Sequence, residues 1–108
     1  MLNDEFPHEV TFWEQRKVPD GGGGHELAFA VVLTMKGFMD TPSSREIYEF
    51  QKLDNQLDRV LYYPYRTDIK TDMRVTYQGE TYEVVGRPQD QGGQGEIMRL
   101  PLKLVPNG

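Results

Sequence analysis

The sequence predicts a mainly β protein: a small six-stranded antiparallel barrel with one short helix in a long inserted loop. Three observations predict it. Apolar residues recur with a period of two in several short runs, the spacing of a half-buried strand. The 108-residue chain carries 11 glycines and 7 prolines, which break it into short pieces and argue against a helical bundle. Only Ser43 to Leu57 places apolar residues at helical spacing.

The clearest element is a hairpin from Asp72 to Arg87. Met73, Val75 and Tyr77 alternate with Arg74 and Thr76, then Gln78-Gly79 supplies a turn in which Gly79 takes positive φ at no steric cost. On the return arm Tyr82 and Val84 face one side, and Thr81, Glu83 and Val85 the other. β-Branched and aromatic residues of this type pack well on a pleated surface. The hairpin is a structural element and carries no chemistry of its own.

The other elements follow in chain order. Met1 to His8 is polar, broken by Pro7, and is expected to be an arm or loop. Glu9 to Val18 opens with Val10 and Phe12 alternating against Thr11 and then turns charged, as in a strand running from core to solvent. Pro19 to Gly24 has the composition of a hairpin tip. Its glycines lack the pattern of a phosphate-binding loop and lead into a strand rather than a helix. Leu27 to Met35 is apolar on both sides and is expected to be a central strand buried on both faces.

Lys36 to Pro42 contains Gly37 and Pro42 and reads as a loop exposing Phe38 and Met39. In the helical stretch, Ser43 and Glu46 fit a capping box, and Ile47, Phe50, Leu53 and Leu57 form the apolar stripe. A helix this short must dock to persist, on its own sheet or on a neighbouring subunit. Arg59 to Arg66 is a strand whose Pro64 demotes one end to an edge or bulge. Gln89 to Glu96 is a glycine-rich loop. Ile97 to Val105 closes the sheet, with Pro101 at an edge or seam.

Composition bounds the function. At 12.5 kDa, residues 1–108 make one domain. A net charge of −5 and a pI near 4.9 disfavour tight binding to nucleic acid, which relies on neutralising phosphates. The absence of cysteine removes disulfides, thiol nucleophiles and thiolate metal sites. The N-terminus has no signal-peptide pattern, and the longest apolar run, Leu27 to Leu33, is too short to span a bilayer.

No catalytic, metal or cofactor site is expected. His8 and His25 sit in expected loops without metal-ligand spacing, and Ser43 and Ser44 have a helix start to cap. Tyr62, Tyr63 and Tyr65 with Arg66 and Lys70 form the one place where bases could stack. That cluster carries the alternative reading, a small barrel binding single-stranded nucleic acid or a peptide.

Several local signatures resemble the head–tail joining family of long-tailed bacteriophages and prophages, in particular its head-completion "stopper" proteins. They are Tyr65-Arg66 ahead of Asp68-Ile69, then Met73-Arg74-Val75 with Tyr77 and Gly79, and Tyr82-Glu83-Val84. Met98-Arg99-Leu100, and Glu5-Phe6-Pro7 followed by Val10-Thr11-Phe12, complete the set. The resemblance implies a virion protein, made in the host cytoplasm, that is not an enzyme. It implies a β-barrel protomer, monomeric when isolated, that forms a dodecameric ring beneath the portal and adaptor and meets a tail completion protein below. Packaged DNA would pass without specific binding, and no membrane is involved.

The resemblance also implies a channel-gating insertion between the second and third strands, here Lys36 to Leu57. Its candidate residues are Gly37, Phe38, Met39, Asp40, Ser43, Ser44, Glu46, Ile47, Phe50 and Gln51. Another joining role, as adaptor or tail-completion subunit, fits the same resemblance.

Overall fold

The structure, a computed structural model, describes residues 6–106. Its strands are β1 (His8–Pro19), β2 (His25–Asp40), β3 (Arg59–Pro64), β4 (Arg74–Tyr77), β5 (Glu80–Val84), β6 (Gln89–Asp90) and β7 (Ile97–Leu104). Helix α1 (Ser44–Lys52) lies between β2 and β3. All pairings are antiparallel, in the order β3-β2-β1-β4-β5-β7-β6, and β3 also pairs with β7. Six strands therefore close into a ring, β1-β2-β3-β7-β5-β4. β6 is a two-residue strip added to β7, inside the stretch expected to be loop. The chain is mainly β with one short helix, as the period-two runs require.

The expected hairpin is β4 and β5. Val75 stands opposite Tyr82, and both are buried. Gln78 and Gly79 both take positive φ, 49° and 81°, the turn whose twist matches that of paired strands. Val10, Phe12, Leu61, Tyr63, Leu100 and Leu102 complete the core from the other walls. The Phe12 and Tyr63 rings meet edge-on, 6.2 Å apart at 69°, an arrangement the ring quadrupoles favour.

β2 departs from its expected place. Along its length it pairs with β1, but β3 reaches it only from Phe38 to Asp40. β4 likewise reaches β1 only from Thr11 to Trp13. Beyond those points β1 and β2 leave the closed sheet as a two-stranded arm, so Leu27 to Met35 is not buried on both faces. A 16-residue strand spans about 50 Å, and the molecule's longest dimension is 49 Å. The arm sets that dimension.

A bulge turns the arm's apolar side outward. Phe12 pairs with Leu33 and Trp13 with Val31, which leaves Val32 unpaired. An extra residue inverts the alternation of the bulged strand. Leu33 shares the core-facing side of Phe12, whereas Val31, Phe29 and Leu27 share the opposite side with Trp13, Gln15 and Lys17.

Three further expectations change. Lys36 to Asp40 continues β2 rather than forming a loop, because Glu9 and His8 pair with Lys36 and Gly37, and Tyr62 to Val60 then take over from Phe38 to Asp40. Met39 is buried there. His8 lies in β1, not in a loop: its Nδ1 accepts the Met39 N–H at 3.0 Å, and its ring stacks on Phe38. His25 begins β2 and is exposed. Phe6, in the expected N-terminal loop, is buried, while Met1 to Glu5 lie outside the described residues.

The two strand prolines sit differently from each other. Pro64 ends β3, opposite Ile97 of β7, so that end is paired rather than an edge. Pro101 occupies a seam. β7 pairs with β3 on one side, and on the other with β5 as far as Val84 and then with β6 from Gln89. The Pro101 carbonyl accepts the Val85 N–H at 3.0 Å, and its missing N–H faces the same gap, where Gly86 lies against its ring.

Candidate functional site

The feature outside the closed sheet, besides the arm, is the connection from Thr41 to Asp58. Its helix begins as the sequence predicts. Ser43 Oγ accepts the Glu46 N–H at 3.2 Å, and Glu46 Oε1 accepts from the Ser43 N–H at 3.1 Å and from its hydroxyl at 3.0 Å. This reciprocal cap satisfies backbone donors that a first turn leaves open. Arg45 and Glu49 pair one turn apart at 3.3 Å, and Lys52 Nζ lies 5.1 Å from the centre of the Tyr48 ring.

The helix stops before its expected end at Leu57. Asp54 takes φ 58°, and the Asp54 and Asn55 N–H groups return to Gln51 O and Phe50 O, each at 2.9 Å. This left-handed cap satisfies the last carbonyls. The predicted stripe divides accordingly. Ile47 and Phe50 are half-buried, Leu53 is exposed, and Leu57 is buried from an extended segment after the helix.

The two ends of the connection are fastened to the sheet. At its start Arg59 donates from Nε to Asp40 O and from Nη2 to Met39 O, both at 3.2 Å. At its end Asp58 Oδ2 accepts the Leu104 N–H at 2.7 Å, and the Asp58 N–H donates to Leu102 O at 2.9 Å. Between these points α1 has no buried residue. An ion pair from Glu46 to Arg99 of β7 ties it to the wall. Ile47, Gln51, Asp54, Asn55, Leu57 and Lys103 line part of an open, largely polar cleft of about 670 Å³ beside it.

The predicted gating residues therefore fall into two groups. Gly37, Phe38, Met39 and Asp40 belong to the sheet wall. A Cβ on Gly37 would come within 2.9 Å of both Leu61 Cδ1 and Tyr62 O, so that position admits only glycine without a shift. Ser43, Ser44, Glu46, Ile47, Phe50 and Gln51 lie on the outer connection. The hairpin residues Met73, Val75, Tyr77, Gly79, Tyr82 and Val84 sit apart, in and beside β4 and β5.

The tyrosine cluster does not form one stacking surface. Tyr63 points into the core, where burial above all pushes its phenol up to about 12; Asp68 raises it further and Arg66 opposes. Tyr62 lies on the outside against Phe38, its phenol raised by burial and then by Asp40. Arg66 is bound to Asp68 through two bonds of 2.7 and 2.8 Å. That pairing holds the carboxyl below its usual range.

Sequence reasoning missed Arg59, Asp58 and the exposed arm. The arm left a trace: the Glu14-Gln15-Arg16-Lys17 run already carries β1 into solvent, and its partner Leu27–Val31 must follow it there. Among the described residues no cluster of side chains could hold a metal, and no helix is long and apolar enough to cross a membrane.

A closed antiparallel sheet with a tethered outer helix and a projecting arm leaves Leu27, Val31, Tyr48 and Leu53 exposed as surface for a partner. The chain belongs to the phage head completion protein family, whose model matches residues 1–104. The family resemblance read from residues between Glu5 and Leu100 is borne out. The chain is 31% identical over 102 residues to head completion protein gp16 of Bacillus phage SPP1, covering 94% of each. The solution structure of protein SF1141 from Shigella flexneri 2a superposes over both full chains with a TM-score of 0.80 at 14% identity, a likeness of fold. The chain is thus a structural virion component in head–tail joining, not an enzyme.

Proposed function

We propose that this chain is the stopper of the head–tail connector. Copies form a ring beneath the portal and adaptor, close the DNA channel after packaging, and present the surface on which the tail docks. The observation that carries the reading is the connection from Thr41 to Asp58: it leaves and re-enters the sheet at fastened points while α1 buries no residue. A segment fixed at both ends, whose helix has no buried residue and is tied to the wall by one ion pair, can move inward or outward without unfolding the sheet. A net charge of −5 suits a channel through which DNA must pass without sticking. Gly37 to Asp40 form the rigid base of the gate, and Ser43 to Gln51 its moving part.

The test is to replace residues 43–54 with a short glycine-serine linker, keeping Asn55 to Asp58 because Leu57 and Asp58 are built into the wall. The variant should fold and enter particles, and those particles should lose packaged DNA before tails attach. Retention equal to wild type, with the variant present at the connector, would exclude the gate and leave an adaptor or tail-completion role.

A further inference from the structure

The arm carries an apolar face whose outer part, Leu27 and Val31, is exposed, while Trp13 and Phe29 are half-buried against β4. Its bulge places Leu27, Phe29, Val31 and Trp13 on one side; Leu27 is 63% and Val31 51% exposed. A second uncovered patch lies on the connection, where Tyr48 is 59% and Leu53 79% exposed. The closed order β1-β2-β3-β7-β5-β4 puts β7 three strands from β1 in either direction. Because Glu46 ties α1 to Arg99 of β7, the two patches lie on opposite walls of one protomer.

The arm's outer side is cationic and the connection's patch is mixed, with Lys52 on Tyr48 and Asp54 after Leu53. Lys17 shares the arm's apolar side, and Arg74 lies over the Phe29 ring at 4.4 Å. Neither has a carboxylate partner among the described residues. Asp54 follows Leu53 and likewise has no basic partner there. Arm against arm would bring only the unpaired cations of two copies together, whereas arm against helix offers them one free anion, Asp54, next to the Lys52 that lies on Tyr48. Two different patches on opposite walls make a heterologous contact, which repeats head to tail.

We infer that the outer face of the β1–β2 arm is a docking surface for a second copy of this chain. It would receive the α1 end of the next copy, with Leu27 and Val31 on its Tyr48 and Leu53, and Lys17 near its Asp54. This deepens the ring reading by naming the two surfaces that meet, and it rests on that reading only for where the contact is used.

The chain has no cysteine, so Val31→Cys and Leu53→Cys in one chain give a clean crosslink. Both positions are exposed, so the protomer should fold. Oxidation is applied to particles carrying this variant and to the concentrated purified chain. The expected result is a ladder beyond dimer on a non-reducing gel. Each single variant should give no ladder, and Leu27→Asp added to the pair should abolish it. Particles that hold the chain at their connector yet show no ladder overturn the inference while leaving the proposed function intact. So does an arm crosslinked only to another particle protein, or dimers from Val31→Cys alone. If the chain is absent from the connector, the proposed function fails, and the purified chain decides: a ladder supports the contact and its lack overturns it.

Discussion

Tyr63 offers a prediction whose size follows from its surroundings. Its side chain is fully enclosed, and its hydroxyl has no hydrogen-bond partner among the described residues. A buried hydroxyl left unpaired costs about 1–3 kcal/mol. Tyr63→Phe keeps the ring against Phe12 and removes only that oxygen, so it should stabilise the fold by about 1 kcal/mol or more at pH 8. The alkaline limb gives a second, independent magnitude. The folded phenol is raised from 10.0 to about 12, so between those pH values the unfolded chain loses a proton that the folded chain keeps. Stability associated with Tyr63 is therefore whole below pH 10 and falls as pH rises towards 12. The loss approaches about 2.7 kcal/mol, two pH units at roughly 1.4 each. The Phe variant is spared it. Urea unfolding followed by the fluorescence of the single tryptophan, Trp13, at pH 8 and at steps from 9.5 to 12 measures both effects. A variant less stable than wild type at pH 8, or a difference that does not widen with pH, would show that the hydroxyl is satisfied or reached by water.

Other substitutions probe the remaining parts of the account. Gly37→Ala forces a Cβ against Leu61 and the Tyr62 carbonyl and should cost about 1–3 kcal/mol, seen as a lower urea midpoint at unchanged slope. Val75→Ala, at a fully enclosed position, should cost about 2–4 kcal/mol. Thr81→Ala, on the outer face, should stay under about 1 kcal/mol, and equal losses would mean that the hairpin register is wrong. Ser43→Ala removes the cap of α1 and should cost about 1 kcal/mol locally. Faster amide exchange from Glu46 to Phe50, with exchange in β4 and β5 unchanged, would report it.

Much of this was legible in the chain because local and long-range preferences agree there. The β4–β5 hairpin has alternation, a left-handed turn and a core-facing side that all specify one register. The start of α1 was legible for the same reason: Ser43 and Glu46 satisfy each other within three residues. Its end was not, because the stop is Asp54 in a left-handed conformation rather than the glycine that usually marks one. β2 misled because its one apolar series, Leu27 to Met35, is turned over by the bulge at Val32. Leu33 and Met35 pack on the core, Leu27 and Val31 beyond the bulge face solvent, and a single residue of register is invisible to composition. Gly37 and Pro42 suggested a loop, yet Gly37 is in a strand where Leu61 and Tyr62 leave no room for a side chain. The fastening of the connection by Arg59 and Asp58 depends on partners 19 to 46 positions away, which no local pattern encodes.

On the proposed function, this chain completes filled heads so that they keep their DNA and accept tails. The most direct measurement of this uses heads assembled and packaged without the chain, to which the purified protein is then added. DNA retained in the heads and the yield of tailed particles are counted before and after. Heads lacking the chain should leak DNA and stay tailless, and added protein should restore both retention and joining. Heads that keep their DNA and join tails equally well without it would contradict the account.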